Sequence, residues 1–298
     1  MSAFIVAAAQ YPIDRFDDWR AYEAKLTDWI ERAVDGGARL AVFPEYGGME
    51  LASLDAASMG DLGASMRALG ALVPRIDALH SALSAQFGVH ILAASLPVRR
   101  DNGAFVNRAR LFAPGGKIGV QDKLIMTRFE REEWGISAGG PLRLFNTELG
   151  KIGITICYDC EFPLLSRALV EAGAEVVLVP SCTDTAHGYW RVRHGAQARA
   201  LEGQCYAVQS PTVGTATWSP AVDINVGAAA VYGPPDGNFP SDGVVSIGNL
   251  DSVEWVFGEV NPARVHALRA NGGVLNTLHW AEQPGAVTLP AVELVDLR

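Results

Sequence analysis

Apolar residues fall along this chain in short runs separated by longer amphipathic stretches. Phe4 to Ala9 is an unbroken apolar run of strand length, and about Asp17 to Val34 has apolar residues at helical spacing until Gly36 and Gly37 break it. Arg39 to Phe43 predicts a second buried strand, stopped by Pro44, which leaves Glu45 at the strand's C-terminal edge. The Ala- and Leu-rich stretch Leu62 to Phe87 predicts a helix interrupted at Pro74, and Val89 to Leu96 predicts a third strand. From Ala104 the segments shorten. Gly115-Gly116 joins a predicted hairpin ending near Val120, with Lys123 just beyond it. A second hairpin, Leu142 to Asn146 and Ile152 to Cys157, turns at Leu149-Gly150. Helices follow at Pro163 to Glu171 and Tyr189 to Leu201, with the strand Glu175 to Val179 between them, closed by Pro180-Ser181. Further strands are expected at Tyr206 to Gln209, Val226 to Tyr232, Val244 to Ile247 and Trp255 to Val260.

Helices alternating with apolar strands, then hairpins, predict an α/β fold with helices outside a mixed sheet system. A four-layer α-β-β-α sandwich fits this pattern, and so does a two-layer α/β fold. There is no internal repeat and no linker to divide the 298 residues.

Composition narrows the function. Hydrophobic residues make up 49% and charged residues 19% of the chain, enough to fill a core and too apolar for intrinsic disorder. The net charge of −9 argues against nucleic acid or an anionic membrane as partner. No apolar run approaches the roughly 20 residues of a bilayer span, and the N-terminal segment lacks the basic start of a secretory signal. The expected location is cytoplasmic, where the four cysteines, Cys157, Cys160, Cys182 and Cys205, stay reduced.

Three ionisable residues each sit just past an apolar strand: Glu45 in VFPEYGG, Lys123 in VQDKLIM and Cys157 in GITICYDCEFP. Each taken singly reads as a solvated charge or a small core residue. Together they supply a base, a cation and a nucleophile, the set acyl transfer requires. A thiol of ordinary pKa near ~8.5 needs a base or cation to attack carbon efficiently, and an ammonium beside the carbonyl oxygen stabilises the charge that develops there. The N–H of Tyr158, directly after the cysteine, is the natural second donor to that oxygen.

FPEYGG, DKLIM, GKIGITICYDCEFP, VLVPSCTDT and QARALEG, in that order, resemble the nitrilase or carbon-nitrogen hydrolase superfamily from the first strand to at least Val260. That resemblance implies an α-β-β-α sandwich carrying a Glu-Lys-Cys triad, with Glu45 as general base, Lys123 as transition-state cation and Cys157 as nucleophile. It implies hydrolysis of a non-peptide C–N bond in a small amide or carbamoyl compound through a thioester, without metal or organic cofactor. Nitrile hydrolysis, or a catalytically silent binding scaffold, is the alternative. A second glutamate between lysine and cysteine is common in the family. FEREEWGISAGG offers Glu130, Glu132 and Glu133, of which counting back from the glycine pair favours Glu132. Tyr158, Pro180 and Ser181 are the expected substrate-facing residues. Arg199 and Glu202 match a family arginine and glutamate, with Gly203 where asparagine is usual. The resemblance also implies a homodimer or larger homo-oligomer; residues 1–280 are read as one hydrolase domain and 281–298 as a tail expected at an oligomer interface.

Two other chemistries compete. Cys157 and Cys160 form a Cys-x-x-Cys, which as a redox motif would leave Glu45 and Lys123 without a role. Zinc would need four ligands, and Cys157, Cys160, Cys182, His187 and His194 lack a second close pair at the usual spacing.

Overall fold

The computed structural model describes residues 2–287. The first half runs β1 (Phe4–Pro12), α1 (Trp19–Asp35), β2 (Ala38–Val42), α2 (Leu62–Phe87), β3 (His90–Arg99), β4 (Phe105–Phe112), β5 (Ile118–Asp122) and the one-turn helix α3 (Arg128–Glu132). The second runs β6 (Leu144–Thr147), β7 (Gly150–Ile154), α4 (Pro163–Glu171), β8 (Val176–Ser181), α5 (Ala186–Gly203), β9 (Tyr206–Thr215), β10 (Ile224–Asn225), β11 (Ala230–Tyr232), β12 (Val244–Ile247), β13 (Glu254–Val260), α6 (Pro262–Asn271) and α7 (Asn276–His279).

The strands form two sheets. One is ordered β13-β1-β2-β3-β4-β5 and the other β6-β7-β8-β9-β11-β12, and they touch where Tyr11 and Pro12 of β1 meet Thr212 and Val213 of β9. Each is parallel at its centre, in β1-β2-β3 and in β7-β8-β9, and antiparallel at its margins. Two-residue alternation along the strands assigns side chains to layers. Val6, Ala8, Leu40, Val42 and Leu92 enter the core shared with Ile152, Ile154 and Leu178 of the second sheet. Their neighbours Ala7, Ala9, Ala41, Phe43 and Ile91 face outward and are covered by Leu26, Trp29 and Ile30 of α1 and Leu69 and Ile76 of α2. On the far side, Val192, Ala196 and Ala200 of α5 cover the second sheet. The result is the α-β-β-α sandwich.

Three expectations need adjusting. Helix α2 runs unbroken through Pro74. Proline removes one rung and costs about 3 kcal/mol in an isolated helix, but burial of Met66 and Leu69 before it and Ile76 and Leu83 after it holds both halves in one layer. The second hairpin's outgoing strand stops at Ile154, so Cys157 lies on a short 3-10 turn, Cys157–Glu161. Strand β8 continues through Pro180 to Ser181. The Leu178 carbonyl faces β7, where it accepts from the Thr155 N–H; Pro180, two residues on, faces the same side beyond the end of β7, so its missing donor is not needed. No helix among the described residues is long and apolar enough to cross a membrane. Of the tail, residues 281–287 are largely exposed, and 288–298 lie outside the described residues.

Candidate active site

Glu45, Lys123 and Cys157, far apart in sequence, converge because β2, β5 and β7 end at the same side of the sandwich. Binding clefts of α/β sheets form outside such carboxyl ends. Lys123 Nζ lies 2.7 Å from Glu45 Oε1 and 2.7 Å from Glu130 Oε2, with Lys123 and Glu45 each 1% exposed. The Cys157 thiol donates to the Cys182 carbonyl oxygen at 3.8 Å, and the Glu45 carboxyl group lines the same cavity. That cavity, of about 260 Å3, opens onto all four of these side chains.

Local conformation aims the Cys157 side chain. Cys157 has φ of 48°, in the left-handed region, and Tyr46, directly after Glu45, has φ of 54°. Such a conformation costs a non-glycine residue roughly 1–2 kcal/mol. At Cys157 it is held by Asp159, whose carboxylate accepts from the Ile156 N–H at 3.3 Å behind the cysteine and from the Leu124 and Ile125 N–H groups at 3.2 and 2.8 Å beyond the lysine. One side chain therefore ties the lysine loop to the cysteine turn. Burial pushes the Asp159 carboxyl up to about 6, opposed by the Lys123 charge and these three amides.

The electrostatics separate the two glutamates. Glu130 Oε1 accepts from Tyr46 Oη at 2.7 Å, and Glu130 Oε2 accepts from Thr127 N–H and Oγ1, both at 2.8 Å. Burial alone would raise the Glu130 pKa, but Lys123's charge and these donors hold it below the usual carboxylate range. Glu45 is pushed up to about 7 by burial, which with the charge of Glu130 outweighs the pull of Lys123. Lys123 stays firmly protonated: burial works against its charge, and Glu45 and Glu130 more than offset that. Burial, with Glu45's charge, raises the Cys157 thiol well above an ordinary cysteine. The resting arrangement is a protonated thiol beside a carboxyl group poised near neutrality, with an ammonium at hand.

Among the three candidate glutamates, the structure puts Glu130 beside Lys123, and the preference for Glu132 is corrected. Glu132 points outward, 57% exposed, and pairs with Arg128 at 2.8 Å. Glu133 is also exposed. The sequence did hold a signal: Thr127-Arg-Phe-Glu130 is a capping box, in which the N3 glutamate turns back over the helix start. That turn carries Glu130 toward Lys123. Tyr158 lines the cavity as expected, but Pro180 and Ser181 do not, being buried in β8; the wall there is made by the next two residues, Cys182 and Thr183. The Cys182 N–H donates to Glu45 Oε2 at 3.1 Å. Tyr46, Phe129 and Trp134 form an aromatic wall, while Glu161, Arg191, Asp184 and Asp223 stand around the cavity. Arg199 and Glu202 pair at 3.0 Å, away from the cavity. Cys160 is buried, with its thiol 3.6 Å from the Val192 carbonyl oxygen. No cluster of three or more His, Cys, Asp or Glu side chains suited to a metal occurs among the described residues.

Comparison with known proteins places this geometry in context. The chain is 34% identical over 269 residues to a probable hydrolase, YhcX, of Bacillus subtilis (strain 168), covering 90% of this chain and 52% of that protein. It is 28% identical over 207 residues to the bifunctional nitrilase/nitrile hydratase NIT4A of Lupinus angustifolius, covering 65% of this chain and 57% of that one. The chain thus spans about half the length of these relatives. Among solved structures it shares the fold of an amidase from Nesterenkonia sp. AN1, in a mutant form showing Michael addition of acrylamide at the active site cysteine. The TM-score is 0.69 at 19% identity, over 90% of this chain and 97% of that one. The sequence model described as carbon-nitrogen hydrolase matches residues 5–247. With the sandwich, the converging strand ends and a match over most of its length, the chain belongs to the carbon-nitrogen hydrolase family.

Proposed function

We propose that this protein hydrolyses the C–N bond of a small amide or carbamoyl compound to an acid and ammonia or an amine, through a thioester on Cys157. The observation that carries the reading is the buried Glu45–Lys123–Glu130 cluster, built against a cysteine in a left-handed turn at the base of a cavity.

With its pKa raised, the Cys157 thiol cannot rely on spontaneous ionisation, so attack needs a base, and Glu45 on the same cavity is the candidate. Glu45 takes the thiol proton as sulfur adds to the carbonyl carbon. Negative charge passes to the oxygen, which Lys123 Nζ and the Tyr158 N–H stabilise. Glu45 then protonates the leaving nitrogen as the C–N bond breaks, leaving the thioester. In the second half Glu45 takes a proton from water as the hydroxide adds to the thioester carbon, and collapse breaks the C–S bond, releasing the acid while Glu45 returns its proton to the sulfur. Near neutrality a carboxyl group at about 7 is populated in both the forms these alternating roles require. Glu130 does not exchange protons in this scheme. It holds Lys123 in place and neutralises part of its charge.

The cavity volume suits a small acyl group, and its aromatic wall of Phe129 and Trp134 suits an apolar one. We assign the protein to the cytoplasm, in keeping with its four free thiols, and to a homodimer or larger homo-oligomer on the family resemblance alone. The 281–298 segment is the proposed contribution to that interface. The test is ammonia release from a panel of short amides, carbamoyl amino acids, ω-amides and nitriles, with intact-mass detection of the adduct. Release from one amide class together with an acyl mass on Cys157 is expected. Release only from nitriles would move the reading to a nitrilase, and neither release nor adduct would favour a scaffold.

A further inference from the structure

Asn107 lies on β4, 62 residues from Glu45 in sequence, and it is fully buried. Its Nδ2 donates to Glu45 Oε1 at 2.8 Å, the same oxygen that accepts from Lys123 Nζ at 2.7 Å. Its backbone carbonyl accepts from the Lys123 N–H at 2.9 Å, where β5 ends. One residue therefore touches the proposed base through its side chain and fixes the proposed cation through its main chain. The other Glu45 oxygen receives the Cys182 N–H. With Oε1 held by two donors and Oε2 by one, the carboxylate plane cannot rotate away from the sulfur.

Asn107 Oδ1 is buried and has no hydrogen-bond partner in the structure. A buried acceptor with no protein partner is costly, and asparagine is a polar choice for a strand interior. A residue whose only service were packing would be better as an aliphatic side chain. What the amide does make is the Nδ2 contact with Glu45.

We propose that Asn107 is a positioning residue for the base: its Nδ2 hydrogen bond orients Glu45 toward Cys157 and favours the ionised carboxylate that accepts the thiol proton. This rests on the reading of Glu45 and Cys157 given above. A neutral donor to a carboxylate favours the charged form, and hydrogen bonds to charged groups are stronger than those between neutral groups. Removing it should raise the proton affinity of Glu45 roughly tenfold, about one unit on the pH axis.

The experiment follows alkylation of Cys157 by iodoacetamide across pH 5 to 9, by intact mass, in wild type, Asn107→Leu and Asn107→Asp. Alkylation needs no substrate, so it reports on Asn107 even for an enzyme inactive on every amide tried, which separates this inference from that of the proposed reaction. Asn107→Leu keeps the volume and removes the donor. Asn107→Asp keeps the shape and sets a like charge beside Glu45, and serves if the leucine variant does not fold. The acid side of the profile should move up by about one unit in either variant, with kcat on an accepted amide falling tenfold or more and KM changing less than about threefold. A purely structural residue would lower the melting temperature and leave the alkylation profile in place. A profile that superimposes on wild type in a folded variant overturns the proposal.

Discussion

Replacing Glu130 with glutamine tests the electrostatic reading most directly, because the same substitution at Glu132 supplies an internal control two residues away. Glu130 is 3% exposed and accepts five hydrogen bonds from Lys123, Tyr46 and Thr127. Glutamine retains one acceptor oxygen and the side-chain shape but presents an NH2 group and no charge. Lys123 is then left with Glu45 as its one anionic partner at hydrogen-bond distance. Breaking a buried ion pair from one side costs about 3–5 kcal/mol, of which the retained amide oxygen recovers part. A loss of about 3 kcal/mol in transition-state stabilisation corresponds to roughly a hundredfold fall in kcat/KM. Losing the Glu130 charge also removes one of the influences that raise Glu45, so the acid limb of the activity profile should shift to lower pH. Glu132→Gln disturbs an exposed pair with Arg128 and should cost well under about 1 kcal/mol, with activity within about twofold of wild type. Both are measured as kcat/KM against pH on the best amide from the panel, with melting temperatures as a check on folding. Equal losses in the two variants, or a Glu130→Gln enzyme within about threefold of wild type, would refute the account of Lys123 held between two carboxylates.

Other outcomes follow from the same geometry. Since the base must be ionised to take the thiol proton, and Glu45 titrates at about 7, kcat/KM should rise as pH increases through neutrality and fall away below it. The linked effect on stability has the opposite sense: the folded Glu45 binds its proton more tightly than the unfolded chain does. Its contribution is therefore present below the ordinary value of 4.5 and lost as pH rises through about 7. The melting-temperature difference between Glu45→Gln and wild type should accordingly shift in the variant's favour as pH rises from about 5 to 7, on top of the pH-independent cost of breaking the Lys123 pair. Cys157→Ala should abolish both turnover and acyl adduct while keeping the fold, whereas Cys160→Ser should keep most turnover; the reverse ranking would point to redox chemistry in the Cys-x-x-Cys. Gly195→Ala would set a Cβ 2.9 Å from Cys160 Sγ, separating α5 from the turn that carries Cys157, and should lower stability by about 1–3 kcal/mol in urea unfolding.

Much of the arrangement was written in local patterns. Apolar runs of strand length ending at Pro44, near Val120 and near Cys157 marked roughly where strands stop, although the last ends at Ile154, and the residues at those stops were the ones to watch. That inference works because side-chain burial repeats every two residues in a strand and roughly every 3.6 in a helix, so both periods survive in the sequence. Motif order carried the family and, with it, the sandwich that periodicity left open between two and four layers.

What only the tertiary structure decided were the partners brought together by sheet register rather than by nearness in the chain. Which of Glu130, Glu132 and Glu133 meets Lys123 depends on how α3 leaves the loop after β5; the capping box at Thr127 hinted at the answer, but hydrophobic spacing could not resolve three acidic residues within one turn. Asn107 carries no local signal at all, since its meeting with Glu45 is made by the pairing of β2 with β3 and β3 with β4. Pro180 and Ser181 were expected at the cavity because proline commonly ends a strand, yet β7 stops short beside them and β8 runs on, moving the wall to Cys182 and Thr183. Local sequence determines which residues lie at strand ends. Register and the packing of one sheet on the other determine which of those ends share a site, because the contacts that set them are long-range.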